Sequence, residues 1–296
     1  MSSPRIAIIG GSGLGQVFAD QAGGESVTLD TPFGPPSGPI VLTRWQGVDL
    51  VFLSRHGPGH LLSPSAVPYR ANVYALKTLG VTHVLASGAT GSLREEIQPR
   101  HLVICDQVID KTCLRAGTFF DRGLVAHVEF AEPFCPALRA LLVEAGAGLN
   151  TVVHPRGTYV CMEGPAFSTQ AESRMHRQWG GDLIGMTCLP EARLAREAQM
   201  CYALIGLPTD YDCWRPHPPG ADRLSLLKEI IGHLEAATAA AIELLRAAVP
   251  RLALQIDAPC SCRDALALAI WSDKSRVDAA TIERLRPIVG RYFEKR

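Results

Sequence analysis

Residues 201–210 read CYALIGLPTD, an apolar run that ends in proline, threonine and aspartate. Such a run is typical of a strand that is buried on both faces of a parallel sheet. The overlapping segment TDYDCW, residues 209–214, contains Asp210 and Asp212 with a single residue between them. Because residues two apart on an extended chain point to the same side, both carboxylates are predicted to face one spot. Two carboxylates at one spot repel unless a cation or a shared proton lies between them, so the pair needs a functional reason.

Similar apolar runs recur along the chain and alternate with helical patterns. Each run ends in glycine or in polar residues, and they are RIAIIGG (5–11), DLVFLSRHG (49–57), THVLASGATGS (82–92), HLVICDQVID (101–110), GTYVCMEGP (157–165) and DLIGMT (182–187). This alternation predicts an α/β fold with a single-domain mixed, largely parallel sheet flanked by helices.

Helix signals lie between these runs. Apolar residues at helical spacing, with proline in the first turn, predict a helix over 68–79. A Thr-x-x-Glu capping box predicts another over 169–180, and Pro190 opens a third. A long helix is predicted over 224–248 and should end at Pro250, because proline lacks the N–H that the next turn needs.

The composition changes after the long helix. Two short amphipathic helices are predicted over 263–273 and 278–293, the second with Asp278 as its N-cap. We therefore divide the chain into a main domain, residues 1–250, and a helical C-terminal extension, residues 251–296, that packs on it.

Composition restricts the possible partners and location. The chain has 296 residues, 47% of them hydrophobic, and its 29 Lys and Arg balance 29 Asp and Glu. This predicts a sizeable core and gives no reason to expect nucleic acid or a membrane surface as a partner. Strand-like sequence begins near the start, and the apolar stretches are shorter than a membrane helix requires, so the expected location is cytoplasmic.

The chain contains nine cysteines, and most lie in apolar runs, where a thiol behaves as a small hydrophobe. The exceptions are Cys260 and Cys262 in the motif CSC. A metal site would need a second pair at suitable spacing, which the sequence does not offer, so no metal is predicted. A local or long-range disulfide stays open.

In a parallel α/β sheet, functional groups collect where strands end. The loop GGSGLG, 10–15, offers backbone N–H groups and the Ser12 hydroxyl to an anion, although it is neither a P-loop nor a dinucleotide fingerprint. The Arg-His pair at 55–56 can donate to phosphate oxygens, with a structural ion pair of the arginine as the alternative reading. SGATGS, 87–92, allows close approach to the backbone, and the threonine of GMT, 185–187, can donate to an oxyanion.

These strand ends amount to a basic, donor-rich pocket for an oxyanion and one acidic pair. The glycines between them leave room for a flat or bulky group of a ligand. This combination predicts a reaction between an anion and a group whose leaving part must be protonated. Phosphorolysis of a glycosidic bond fits that description.

Taken together, the motifs resemble the trimeric purine nucleoside phosphorylase family and, within it, the methylthioadenosine phosphorylases. The motifs follow the family's order as far as residue 214, and they are IIGGSGL, TPFGPPS, SRHGPGH, ATGSLREEIQP, AEPFCP, MEGPAFSTQAES, GMTCLPEARLAREA and TDYDCW. The resemblance implies the nucleoside phosphorylase fold for the main domain. It also implies an enzyme without a cofactor, in which phosphate is a co-substrate.

The resemblance assigns a phosphate site. In the family a threonine stands where this chain has Gly88, and its hydroxyl helps to hold phosphate, so Ser87 or Thr90 would have to compensate. The implied phosphate ligands are Ser12, Arg55, His56, the backbone of Gly88 and Ala89, and Thr187.

The resemblance also assigns the nucleoside site. The base and ribose are expected to lie against Phe167 and Met186, while Asp210 and Asp212 face N7 and the 6-amino edge of the purine. His127 matches a residue that reaches into the neighbouring subunit's site. The functional unit would then be a homotrimer, or a hexamer built as a dimer of trimers.

Two positions point to a 6-aminopurine. In the 6-oxopurine members of the family a glutamate follows GP-x-F, and an asparagine stands at the position of Asp210. Here Ser168 follows GP-x-F and can donate to N1 of adenine, whereas Asp210 can accept from the amino group or protonate N7. A site built for one donor and acceptor pattern discriminates strongly against the other.

The 5′ end of the substrate is expected on the long helix. Aligning its apolar stripe with the family places Leu227, Ile230 and Ile231 at the alkylthio pocket, an i, i+3, i+4 face. Ordinary core packing is the alternative for these residues, and His233 would be the nearest polar group. Ala166 and Gly185 also depart from the family, which has arginine and asparagine there.

The implied activity is phosphorolysis of S-methyl-5′-thioadenosine, with adenosine as a further substrate to be tested, in purine and methionine salvage. The products would be adenine and 5-methylthioribose 1-phosphate. Three alternatives stay open: a broader purine nucleoside phosphorylase, a hydrolase of the same substrate, and a non-catalytic adenine-nucleoside binding protein. Arg55 and His56 favour phosphate over water.

Overall fold

The computed structural model describes residues 5–11, 14, 24–216, 220 and 222–294. The strands in this part of the chain are β1 (Arg5–Gly10), β2 (Gly24–Val27), β3 (Ile40–Trp45), β4 (Val48–Ser54), β5 (Val81–Ser92), β6 (Leu102–Ile104), β7 (Gln107–Asp110), β8 (Val153–His154), β9 (Thr158–Cys161), β10 (Leu183–Gly185) and β11 (Cys201–Asp210). The α-helices are α1 (Tyr69–Thr78), α2 (Pro136–Gly146), α3 (Gln170–Gln178), α4 (Cys188–Glu197), α5 (Arg223–Leu254), α6 (Ala279–Arg284) and α7 (Arg286–Val289).

The strands form one sheet in the order β2-β3-β4-β1-β5-β10-β9-β7, and β11 pairs with both β5 and β6. The pairs β1–β4, β1–β5, β5–β11 and β9–β10 are parallel, whereas β2–β3, β3–β4, β5–β10 and β6–β11 are antiparallel. The predicted α/β class with a mixed, largely parallel sheet is confirmed. The run predicted over 101–110 contains two strands, β6 and β7.

The sheet is buried on both faces, which explains the uninterrupted apolar runs. Along β1, Ile6 and Ile8 pack into a core with α2 and α5, whereas Ala7 and Ile9 pack into a second core with α1 and α4. The same alternation holds along β11. Because both faces need apolar side chains, the sequence loses the alternating pattern of a half-exposed strand.

Two helix starts are confirmed by their capping contacts. The backbone N–H of Glu172 donates to the Thr169 hydroxyl over 3.2 Å, and the N–H of Thr169 donates back to the Glu172 carboxylate over 2.8 Å. At α6, the Thr281 N–H donates to the Asp278 carboxylate over 2.6 Å. These bonds satisfy donors that have no partner inside the helix.

The predicted end of the long helix is wrong. Pro250 lies inside α5, which continues to Leu254. Proline removes one backbone hydrogen bond, but packing of the buried Val249 and Leu252 against the sheet holds the last turn in place. None of the helices in the described part of the chain is long and apolar enough to cross a bilayer.

The C-terminal segment differs from its sequence pattern. Residues 263–273 do not form the predicted helix, since only a short 3-10 helix at Ser261–Asp264 is present. The second predicted helix is broken at Leu285, two residues before Pro287. Apolar residues of this segment, among them Leu266, Leu285 and Ile288, are buried against the main core. The division at residue 250 stays a prediction.

Candidate active site

The C-terminal parts of four parallel strands lie side by side at one edge of the sheet. Gly10 at the end of β1 lies beside Ser54 at the end of β4, and Gly88 of β5 lies beside Gly206 of β11. The loop after β10 joins them, because a Cβ atom built on Gly88 would lie 3.5 Å from the Thr187 hydroxyl. All the predicted anion-binding loops that the structure describes therefore converge on this edge.

The two acids after β11 are joined by a tight turn. The backbone N–H of Asp212 donates to Oδ1 of Asp210 over 2.7 Å, and the φ angle of Asp212 is 50°, in the left-handed region. The extended-chain explanation of their common orientation is therefore wrong. The carboxylates are brought together by an aspartate turn, in which a side chain accepts from the backbone two residues on.

Gly91 provides the space for this turn. A Cβ atom at Gly91 would lie 3.1 Å from the Cβ of Asp212 and 3.2 Å from Oδ1 of Asp210. Beyond the turn, the indole N–H of Trp214 donates to the Ser92 carbonyl over 2.8 Å, and Arg177 of α3 stacks on the indole ring at 3.6 Å. Trp214 therefore fixes the acidic turn to the end of β5.

The environment of Asp210 shifts its pKa upward. Burial raises its pKa above the ordinary value, while the Thr209 hydroxyl and the Asp212 N–H oppose that shift. The Thr209 hydroxyl lies 2.7 Å from Oδ2 of Asp210 and 3.3 Å from the Thr90 carbonyl. Because the hydroxyl has one proton to donate, it bonds either Oδ2 of Asp210 or the Thr90 carbonyl.

Asp212 offers an acceptor without a protein partner. Its Oδ2 atom is buried, and no hydrogen-bond partner exists for it in the described part of the chain. Burying a polar atom without a partner is costly, so such an atom at a site is a candidate for ligand contact. Asp212 can accept a hydrogen bond from the amino group of a ligand that contacts Asp210.

Arg55 is fully buried and held by a carboxylate that the sequence pattern does not identify. Its Nε and Nη2 atoms donate to the two oxygens of Glu191 over 2.7 and 2.8 Å, and Nη1 donates to the Ser87 carbonyl over 2.8 Å. Burial alone would lower the pKa of Arg55, but Glu191 raises it, so the guanidinium stays charged.

This ion pair changes the expected role of Arg55. The sequence predicts that the forked pair of donors meets two phosphate oxygens, and Glu191 occupies that fork instead. The one remaining N–H on each terminal nitrogen of Arg55 has no hydrogen-bond partner among the described residues and can donate to an anion. The structural ion pair and an anion-binding role are therefore compatible, because they use different N–H groups.

His56 is buried and neutral. Its Nδ1 lies 2.8 Å from the Leu62 carbonyl, which can only accept, so Nδ1 carries the proton. Burial lowers the pKa of His56 to about 4. In this tautomer Nε2 is an acceptor, so a contact with phosphate would require a phosphate hydroxyl or a second proton on the ring.

The neutral state of His56 predicts a pH dependence of stability. The pKa of His56 falls from 6.5 to about 4 on folding, so between these values the unfolded chain binds the extra proton. Stability that is complete above pH 6.5 is then lost as the pH falls towards 4, by up to about 3 kcal/mol at 1.36 kcal/mol per pKa unit.

The check is the free energy of unfolding of the wild type and of His56→Asn, measured in denaturant from pH 4 to pH 8. The difference between the two proteins should shrink as the pH falls, since only the wild type carries this cost. A constant difference across that range would contradict the prediction.

Further hydroxyl groups line the edge near Arg55. Thr187 is buried at the start of α4, and the Oγ atoms of Ser87 and Thr90 are buried without a partner in the described residues. The two expected substitutes for the missing threonine at Gly88 are thus both available. Ala89 lies in β5 between them, whereas Ser12 lies outside the described residues.

Ser168 borders the acidic turn, and Met186 lies in the loop after β10. The Ser168 carbonyl accepts from the Cys213 thiol over 3.2 Å, which places Ser168 next to the acids. The Met186 carbonyl accepts from the buried Arg115, which also pairs with Glu163 over 3.0 Å. Phe167 is 85% exposed and free to cover a ligand.

The departure at Gly185 has a steric reason. A Cβ atom at Gly185 would lie 2.0 Å from the hydroxyl oxygen of Tyr159, a fully buried residue of β9. The family's asparagine cannot fit unless Tyr159 moves. Ala166 is exposed, and nothing in the structure explains its replacement of an arginine.

The third turn of α5 contacts the end of β11, next to the acidic turn. Nδ1 of His233 donates to the Thr209 carbonyl over 2.8 Å. Leu227 and Ile231, six and two residues earlier, are 53% and 46% exposed. Ile230 is partly buried. Because Leu227 and Ile231 are about half exposed, core packing does not account for them. An exposed apolar stripe of this kind can contact a ligand or a partner.

His127 makes its described contacts away from these groups. Its backbone N–H donates to the Ala269 carbonyl over 2.9 Å, and its ring packs edge-on against Trp271 at 5.6 Å. The side chain is exposed, as are the neighbouring Val125, Leu268 and Trp271. The structure does not bring His127 to the site of its own chain.

Sequence patterns alone miss Glu191, Thr209 and Arg115. The contact between Arg55 and Glu191 joins residues 136 positions apart, so no local pattern reveals it. One signal is present: a buried arginine requires a counter-charge, and Glu191 lies in an apolar helix in the segment GMTCLPEARLAREA.

Known proteins are similar to this chain over nearly its whole length. A family model described as the phosphorylase superfamily matches residues 5–250. The S-methyl-5′-thioadenosine phosphorylase of Gloeobacter violaceus is 48% identical over 298 residues, which cover 99% of this chain and 98% of that protein. That of Pyrococcus horikoshii is 47% identical over 264 residues, 89% of this chain and 98% of the relative.

Solved structures agree. A methylthioadenosine phosphorylase sourced from an antarctic soil metagenomic library superimposes with a TM-score of 0.88 at 43% identity, covering 97% of this chain and 99% of that chain. The methylthioadenosine phosphorylase of Schistosoma mansoni in complex with adenine gives 0.78 at 33% identity, with 97% and 98% coverage.

Proposed function

This chain belongs to the phosphorylase superfamily and, within it, to the S-methyl-5′-thioadenosine phosphorylases, and from that premise we propose how its residues carry the reaction. The enzyme is a pentosyltransferase with the nucleoside phosphorylase fold. It converts S-methyl-5′-thioadenosine and phosphate to adenine and 5-methylthioribose 1-phosphate. The observation that carries the assignment of residues is the turn of Asp210 and Asp212, packed against Gly91 beside a pocket of buried donors.

Asp210 is the proposed general acid. The bond from C1′ to N9 lengthens, the sugar gains oxocarbenium character, and negative charge accumulates on the departing purine. A neutral Asp210 protonates N7 and so neutralises that charge. Its raised pKa supports this role, because a carboxyl group must hold its proton near neutral pH to act as an acid.

Asp212 and Ser168 are proposed to select adenine. The unpartnered Oδ2 of Asp212 accepts from the 6-amino group, and the Ser168 hydroxyl donates to N1. The contact from Cys213 to Ser168 supports the proposal by holding the two groups on one side of the base. Hypoxanthine would leave both groups unpaired, which strongly disfavours its nucleosides.

The phosphate is proposed to lie beside the ends of β1 and β4 and the Gly88–Ala89 part of β5. Arg55 donates with the N–H groups that Glu191 leaves free, and the Thr187 hydroxyl and the backbone of Gly88 and Ala89 add further donors. His56 accepts from a phosphate hydroxyl. Ser12 is assigned to the same anion by resemblance alone. A water molecule would not need so many donors, so the pocket disfavours hydrolysis.

The complete site is proposed to require a second copy of the chain. His127 lies on an exposed apolar surface with Val125, Leu268 and Trp271, and it makes no described contact with the site of its own chain. Exposed apolar patches of this kind mark interfaces. In a homotrimer, or a dimer of trimers, His127 would reach the substrate of the neighbouring subunit. A cytoplasmic location remains a prediction.

The 5′-methylthio group is proposed to contact Leu227, Ile230 and Ile231. We expect Leu227→Gln to lower kcat/KM for S-methyl-5′-thioadenosine relative to adenosine by about 10-fold, the lower end of the discrimination that one apolar group gives. The glutamine loses contact with the methyl group and can bond the 5′-hydroxyl of adenosine. The measurement is kcat/KM for both substrates at saturating phosphate.

The matched control is Leu254→Gln, since Leu254 is 88% exposed at the far end of α5. This variant should leave the ratio between the two substrates unchanged. If Leu227→Gln also leaves it unchanged, the methylthio group binds elsewhere.

The assignment of the whole site is tested by adenine release from S-methyl-5′-thioadenosine, adenosine, methylthioinosine and inosine, each with and without phosphate. We expect release that depends on phosphate and favours the two 6-aminopurines. Equal rates in phosphate-free, dialysed enzyme would indicate hydrolysis. Binding of the nucleoside without release of adenine would indicate a non-catalytic protein.

A further inference from the structure

Four cysteines form a cluster that the reaction does not use. The sulfur atoms of Cys135, Cys201, Cys260 and Cys262 all lie within 4.8 Å of one another. Cys135 and Cys260 are 3.6 Å apart, and all four are free thiols. Cys260 is partly buried and the other three are buried. We call these residues the four-cysteine cluster.

The fold supplies the second pair that the sequence spacing does not offer. Cys135 is the N-cap residue of α2, and Cys201 is the first residue of β11. The backbone N–H of Cys135 donates to the Tyr202 carbonyl over 2.9 Å, which sets these two cysteines side by side. The CSC motif then brings Cys260 and Cys262 to them from the C-terminal segment.

The spacing of the sulfur atoms fits a tetrahedral metal centre. Four thiolates at about 2.3 Å from Zn²⁺ lie roughly 3.8 Å from one another, the edge of a regular tetrahedron. The separation between Cys135 and Cys260 is close to that value, and the limit for all pairs exceeds it by about 1 Å. A disulfide would need two of these sulfurs at about 2 Å.

We propose that the four-cysteine cluster binds one Zn²⁺ ion as a structural site. Zinc replaces the four thiol protons, which pass to solvent as four Zn–S bonds form, and no oxidant is required. The resulting centre carries two negative charges. The positive end of α2 at Cys135 and the guanidinium of Arg196 near Cys262 offset part of that charge.

The position of the cluster indicates a structural role. β11 begins at Cys201 and ends at Asp210, so its ten residues put the cluster about 30 Å from the acids at 3.3 Å per residue. Four protein ligands also leave no open position for a substrate. The metal would instead join the C-terminal segment to α2 and β11.

A route for the metal is present. Cys260 lines an open cavity of about 570 Å³, with Lys77, Arg263 and Arg291 among its other lining residues. The metal therefore does not have to pass through the core. Because the cluster is far from the acids, the proposal of a zinc site does not depend on which nucleoside the enzyme cleaves.

The first experiment is metal analysis of the purified full chain. Protein made in zinc-supplemented medium and desalted with a thiol reductant is expected to contain one zinc per chain by inductively coupled plasma mass spectrometry. After exchange with Co²⁺ it should show the intense sulfur-to-cobalt charge-transfer absorption of a tetrahedral thiolate site. No zinc after reconstitution with Zn²⁺ and reductant would overturn the proposal.

Two variants locate the metal. Cys260→Ser and Cys262→Ser should each retain less than about a tenth of the zinc, because loss of one thiolate opens the site. The matched control is Cys113→Ser, an exposed cysteine outside the cluster, which should keep all of it. Equal zinc loss in the control would overturn the assignment.

Two further measurements use the wild-type protein and so do not require any variant to fold. Removal of zinc from the wild type by a chelator should lower the Tm, and addition of Zn²⁺ should restore it. Intact mass spectrometry of alkylated protein, isolated without reductant, should count four additional reactive thiols after zinc removal. If these thiols are instead found as disulfides in the isolated protein, the zinc site is wrong.

Discussion

Replacing Asp210 with asparagine is expected to lower kcat/KM for S-methyl-5′-thioadenosine by about 10²- to 10⁴-fold, the contribution typical of a positioned general acid. Asparagine keeps the size of the side chain and can still accept from the Asp212 N–H. It cannot deliver a proton to N7, so the purine must leave as an anion. The loss should appear in kcat more than in KM, because the proton transfer occurs in the transition state.

The same variant should change the substrate preference. An amide at position 210 can donate to the O6 or N7 acceptors of a 6-oxopurine, so methylthioinosine should improve relative to S-methyl-5′-thioadenosine. The measurement is kcat and KM for both nucleosides at saturating phosphate. Asp49→Asn, at an exposed position of β4, is the matched control and should behave as the wild type. Full activity and unaltered adenine selectivity in Asp210→Asn would contradict the assignment.

Replacing Glu191 with glutamine is expected to lower the free energy of unfolding by about 3–5 kcal/mol, the usual result of removing one partner from a buried ion pair. Arg55 and Glu191 are both nearly inaccessible to solvent. Glutamine leaves the guanidinium charged, with one of its two carboxylate oxygens replaced by a donor. For a chain of 296 residues, we expect the Tm to fall by roughly 5–8 °C.

The Glu191→Gln substitution should also impair catalysis, because it weakens phosphate binding. Glu191 orients the guanidinium, so a free Arg55 will present its remaining N–H groups less accurately, and the KM for phosphate should rise. Glu144→Gln is the matched control, because its pair with Arg251 is exposed and contributes less than about 1 kcal/mol. An unchanged Tm in Glu191→Gln would contradict the structural argument.

A milder variant keeps this prediction testable if Glu191→Gln does not fold. The Tyr202 hydroxyl donates to the same carboxylate over 2.8 Å. Tyr202→Phe removes only that bond and should cost about 1 kcal/mol. It should still raise the KM for phosphate, whereas a purely structural role would leave that constant unchanged.

The sequence is sufficient for the architecture and for most of the described site. Apolar runs that end in glycine or polar residues predict the parallel strands, and parallel strands place their ends at one edge. Arg55, His56, Thr187, Asp210 and Asp212 follow such ends, and the fold brings them together without further information. His127 is an exception, because its described contacts lie in the C-terminal segment.

Local sequence patterns give wrong predictions where tertiary packing determines the local structure. The helix α5 passes Pro250 because buried contacts outweigh one missing hydrogen bond, and residues 263–273 stay irregular although their apolar spacing suits a helix. The acidic pair is predicted from extended-chain geometry that the structure corrects, since Asp212 faces Asp210 through a left-handed turn.

Sequence patterns specify the sheet, the strand ends at which the chemistry is proposed to occur, and the acid at position 210 that is proposed to favour adenine. The pairing of Glu191 with Arg55, and the meeting of four cysteines from three separate segments, emerge only when the chain is folded. The reason is physical. Strand and helix patterns follow from residues a few positions apart, whereas a buried charge or thiol finds its partner through packing, which joins residues at any separation along the chain.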